Sequence, residues 1–271
     1  MTDLDIWLSH PAVQAGVLPF IVALVVALPL ARTRWLALAQ VAGFAVCVTL
    51  VAGWSLESLT STRKLAIIGV ASVALCVLVE MWTANWRAAI AAASLALAIA
   101  AIWMTWRVLV QKEPGPAIFA AVLVGGYVAA QCALSLQAGE DPVRCTSAAV
   151  VFALASGVVA VLGASAVLGS MAISVGASAM ATLAIPFIRN VPPPRGRSVA
   201  LPATAVAALA GAAAVLVADL SAYCLLPLLL VAPAARLAPA LRPMRVRALV
   251  AFSFAVVPAA CAIALAWFRP A

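Results

Sequence analysis

The chain has 271 residues, of which 67% are hydrophobic and 9% charged, with a mean hydropathy of +1.20 and a net charge of +8. A soluble domain carries about 25% charged residues, so this composition leaves nothing from which to build a water-facing surface. In a soluble protein the positive charge would suggest nucleic acid. Here most arginines stand in short segments between apolar runs, the pattern that orients membrane proteins and favours anionic headgroups. No nucleic-acid partner is expected. In lipid only helices and closed barrels satisfy every backbone group. The apolar runs are continuous rather than alternating, so the expected fold is all-α, a polytopic transmembrane helix bundle.

Residues 1–12 are short and acidic, with no basic segment before the first apolar run. Span 1 is read at Val13–Ala31, with Arg32 and Arg34 directly behind it. A cleaved signal peptide has its charge in front, so this is a retained helix with the N-terminus outside. Span 2 follows at Trp35–Gly53, and a polar loop, Trp54–Lys64, leads to span 3 at Leu65–Trp82. Span 4 is Trp86–Trp106. The Pro114–Pro116 sequence reads as a helix stop, and span 5 runs from Ala117 to Leu136.

Ser147 to Ile188 is an uncharged stretch of 42 residues rich in Ala, Gly, Ser and Val. As one helix it would be about 63 Å long, twice a ~30 Å hydrocarbon core. It is therefore read as two close-packed spans, 6 and 7, turning near Leu168–Ser170. After the proline-rich connector Arg189–Arg197, the run Val199–Ala235 gives spans 8 and 9, with their turn at Asp219 and Ser221. The basic loop Arg236–Arg247 precedes span 10, Ala248–Phe268.

Ten spans with both termini outside place eleven arginines on the inner side (Arg32, Arg34, Arg87, Arg144, Arg189, Arg195, Arg197, Arg236, Arg242, Arg245, Arg247). Five basic residues (Arg63, Lys64, Arg107, Lys112, Arg269) stand outside. All eight tryptophans fall near span ends, where indole prefers the headgroup level. The expected location is a bacterial inner membrane. The chain reads as a single integral membrane domain, and five spans per half (1–140 and 141–271) would invert one half against the other, as in many transporters.

Two polar strips mark where chemistry could sit. Span 5 carries Tyr127, Gln131 and Ser135; span 7 carries Ser170, Ser174, Ser178 and Thr182 at four-residue spacing on one helical face. Each strip can bond neighbouring helices or line a solute path. Two carboxylates near the membrane, Glu80 and Asp219, are candidates for ion coupling or for ion pairing and helix capping. Gln40 stands near a span end and reads as interfacial. The six cysteines show no CxxC and the single histidine, His10, builds no metal site, so no metal, disulfide or cofactor is expected. No HExxH, GxSxG, phosphate loop or dinucleotide fingerprint is present, and no enzyme is expected.

Two functions follow as expectations. The first is a small-solute transporter or channel with a path between spans 5 and 7 and Glu80 at its inner mouth. The second is a non-catalytic membrane subunit or anchor, with a membrane-protein partner or a homo-oligomer.

Overall fold

The computed structural model describes residues 10–54, 59–82, 85–163, 165–189, 197–218, 220–239 and 243–268. Among them there are ten helices and no strand. These are α1 (Val13–Leu30, opening with a π-helical turn), α2 (Ala37–Val51), α3 (Ser61–Met81), α4 (Trp86–Val110) and α5 (Pro114–Ala138). The second half holds α6 (Pro142–Leu162), α7 (Ala166–Arg189), α8 (Leu201–Val217), α9 (Ala222–Leu237) and α10 (Met244–Phe268). Seven are long and apolar enough to cross a membrane; α2, α8 and α9 are apolar but shorter.

Several boundaries differ from the sequence reading, each for a local reason. The Pro114–Pro116 segment starts α5 instead of stopping a helix, because a proline in the first turn lacks an N–H that has no intrahelical partner anyway. Asp141 caps α6, accepting from the Val143 and Arg144 amides, so only three residues separate α5 from α6. Starting earlier, α6 also ends earlier. The turn into α7 lies at 163–165, not at Leu168–Ser170. Thr60 caps α3, drawing Arg63 and Lys64 into its first turn. Buried Lys64 is held there by the Trp103 carbonyl at 2.8 Å, with its ammonium 5.0 Å over the Trp103 ring.

The centre is three helices, α6, α7 and α8. α6 and α7 make the most extensive helix–helix contact in the molecule. They meet backbone to backbone: a Cβ added at Gly157 would lie 2.9 Å from the Gly169 carbonyl oxygen, and one at Gly169 would lie 2.8 Å from that of Gly157. Small residues at such a crossing let helices approach closely, the usual basis of association in lipid. Every residue of α8 from Leu201 to Ala214 is buried. The other helices clasp this core in three groups. α1 and α2 lie on α7; α3, α4 and α5 lie on α8; α9 and α10 lie on α6. The two five-helix halves do not repeat the same contacts, since α6 packs along α10 whereas α1 and α5 share no extended contact.

Successive helices alternate in direction, and the ends of α1, α3, α5, α7 and α9 lie with the starts of α2, α4, α6, α8 and α10 at one end of the bundle. There Arg144 at the start of α6 reaches the Arg236 carbonyl at the end of α9. Arg247, at the start of α10, reaches Asp141. Gln40, at the start of α2, reaches Thr182 near the end of α7. The start of α2 and the end of α3 share a cleft. This is the arginine-rich end.

Candidate functional site

The span 5 strip is buried and points at α8 and α9. Ser135 Oγ lies 2.9 Å from Thr204 Oγ1, which donates its own proton to the Ala200 carbonyl, so Ser135 is the donor of the pair. Gln131 Nε2 donates to the Leu228 carbonyl at 2.7 Å, beside the break in α9 at Leu230. A side-chain amide thus serves a carbonyl where the helix ladder is interrupted, as an irregular segment at membrane depth requires. Tyr127 is buried with its hydroxyl near Gly211, where an added Cβ would stand 3.6 Å away. That hydroxyl has no partner of good geometry among the described residues.

The span 7 strip points the other way, at α1 and α2. Ser174 Oγ donates to the Met171 carbonyl at 2.8 Å and Thr182 Oγ1 to the Ala179 carbonyl at 2.7 Å. Ser178 Oγ donates to the Ser174 carbonyl at 2.7 Å, with the Pro19 carbonyl of α1 as a longer second acceptor at 3.4 Å. Ser170 is half-buried, and its carbonyl accepts from the Cys47 thiol at 3.7 Å. Gly43 makes this contact possible, because a Cβ there would run into Ser178 Oγ and stand 2.5 Å from the Pro19 carbonyl oxygen.

The structure therefore does not bring the two strips together. One closes the α5–α8–α9 contacts, the other the α1–α2–α7 contacts, and α5 and α7 share no extended contact. A path bounded by both strips needs them to face one another, and they do not.

Gln40 corrects the sequence reading most sharply. Expected at the interface, it is fully buried, and its Nε2 donates to both Thr182 Oγ1 at 3.1 Å and the Val199 carbonyl at 2.7 Å. One amide ties α2, α7 and the entry to α8. Its position four residues into α2 reads as exposed in sequence; the covering comes from the ends of two other helices, which no local pattern reports.

Glu80 stands apart from both strips. It is half-buried on the last turn of α3 and lines a cleft of about 480 Å3 with Trp35, Ala37, Leu38, Val73 and Cys76. Arg87, at the start of α4, lies 5.7 Å from the Trp86 ring. Asp219, the second candidate carboxylate, lies outside the described residues. Among the described residues no group of three or more His, Cys, Asp or Glu is placed to hold a metal ion. Compared with protein-family models, curated proteins and solved structures, the chain has no significant match.

Proposed function

We propose that this integral membrane protein is a non-catalytic subunit or anchor that works by association within the bilayer. We further propose that all ten helices are threaded through the membrane, with the arginine-rich end on the cytoplasmic side of a bacterial inner membrane. The observation that supports this reading is the separation of the polar strips. The side chains of Gln131, Ser135, Ser174, Ser178 and Thr182 are engaged in hydrogen bonds within or between helices, on two different sides of a close-packed core. Short α8 fits the topology, because a helix enclosed by protein has no need to match the lipid thickness alone.

Isolation of the full chain in mild detergent from its own membrane is expected to bring down a membrane protein at fixed stoichiometry. A chain that elutes alone, and that moves a solute in proteoliposomes, would overturn the reading.

The Glu80 cleft supports a second reading, transport of a small cationic solute entering at the arginine-rich end. Flux abolished by Glu80→Gln in the proteoliposome assay would favour it.

A further inference from the structure

Helix α9 is built differently from its neighbours. It is interrupted at Leu230 and carries Pro227 and Pro233, while its partner α10 carries Pro258. A proline lacks the N–H of the ladder and presses on the turn before it, so α9 cannot lie straight along the 25-residue α10. The two separate and leave an outward-opening groove of about 1120 Å3, lined by Tyr223, Leu226, Leu230, Leu237, Val257 and Cys261 among other apolar residues. That exceeds the roughly 300–1,000 Å3 of ordinary small-molecule sites.

At the arginine-rich end the groove finishes at Leu237, next to Arg236, whose side chain is exposed. Two more guanidinium groups converge there. Arg144 Nη1 donates to the Arg236 carbonyl at 3.4 Å, and its Nε lies 3.4 Å from Asp141 Oδ2. Arg247 Nη1 meets the same carboxylate oxygen at 3.3 Å. Even with Glu140 counted beside its neighbour Asp141, three guanidinium groups outnumber two carboxylates.

An apolar slot along the membrane normal that ends in positive charge has the two-part chemistry of one kind of occupant. We infer that the α9–α10 groove is a binding site for an anionic phospholipid, its acyl chain along the slot and its phosphate at Arg236. The inference uses only the bilayer setting and does not depend on whether the protein is a subunit or a transporter. A neutral lipid would fill the slot equally well but would gain nothing from the arginines. Each arginine near the surface favours an anionic headgroup by about five-fold.

Cys261 offers a direct reading. It lines the groove and is exposed, whereas the other five cysteines are buried. The full chain in mild detergent is treated with N-ethylmaleimide, and single alkylation is followed by intact mass. Phosphatidylglycerol and phosphatidylcholine with identical chains are each titrated over the same range of mole fraction. Phosphatidylglycerol is expected to slow alkylation at about five-fold lower mole fraction. Arg236→Gln is expected to erase that difference and Arg236→Lys to keep it, both with wild-type melting. Equal protection by the two lipids would overturn the headgroup assignment. Protection by neither would remove the lipid site and leave the groove to a protein partner or a second copy.

Discussion

Helices α8 and α10 are both apolar along most of their length, α10 beyond Arg245 and Arg247 in its first turn, yet one is enclosed and the other lies open on one side. In α8 every residue from Leu201 to Ala214 is buried; in the longer α10 the buried positions are Ala248, Ala251, Ala255, Ala259 and Ala262. The exposed face of α10 carries Leu249, Phe254, Val257, Leu265 and Trp267. Lipid tails are as apolar as leucine, so hydrophobicity does not sort one helical face from another inside a bilayer. Side-chain size does. Along α10 the small residues go where helices approach, and the large ones face outward. α1 repeats the rule with a stripe of Ala15, Pro19, Ala23 and Ala27, continued by Ala31 at its C-cap, each four residues apart and each buried.

The sharpest way to break this comparison is at the α6–α7 crossing. Gly157→Leu and Gly169→Leu put a side chain against a facing backbone carbonyl, which cannot move aside as a flexible side chain can. Each is expected to cost at least about 3 kcal/mol in detergent melting, at or beyond the upper end of overpacking penalties. Gly126→Leu, with nothing within 4 Å of the added Cβ, should stay within about 0.5 kcal/mol. Equal losses at all three positions would mean that the crossing is not the centre of the bundle.

A smaller effect tests size against apolarity directly. Ala210→Leu in α8 is expected to cost about 1–3 kcal/mol, because its neighbours on every side are protein. Val257→Leu on the open face of α10 should be neutral within about 0.5 kcal/mol. If α8 accepts the leucine as readily as α10, enclosure is not what alanine is there for.

The smallest expected effect concerns the polar groups that close the two sides of the core. Gln40→Leu and Gln131→Leu are each expected to lose about 0.6–1.7 kcal/mol, the range for hydrogen bonds between membrane helices. The double variant should be additive within about 0.5 kcal/mol, because the two amides serve different helix groups. Coupling between them would join the sides that the geometry separates.

Much of this organisation is legible in the chain. Ten apolar segments and the close pairing of α6 with α7 follow from length, apolarity and glycine content. So does the eight-alanine composition of α8, although apolarity alone gave no reason to place that helix at the centre. Three things escape local reading. Helix starts shift by several residues because Thr60, Pro114 and Asp141 act as start signals beside charged residues that otherwise look like loop. The burial of Gln40 and Lys64 is imposed by the ends of distant helices. Periodicity shows that Ser174, Ser178 and Thr182 share a face but is silent on the partner, which turned out to be α1 and α2 rather than α5.

The enclosure of α8 also orders events in time. Its extended packing partners are α2 through α7, all of which precede it in the chain. A segment dominated by alanine gains little by entering lipid alone, since it has few of the large apolar side chains that favour insertion. When it leaves the ribosome, however, the walls of its slot have already been synthesised. If all ten helices are threaded as proposed, its entry into the membrane is a docking event between protein surfaces. Helices α9 and α10 follow it and close over α6.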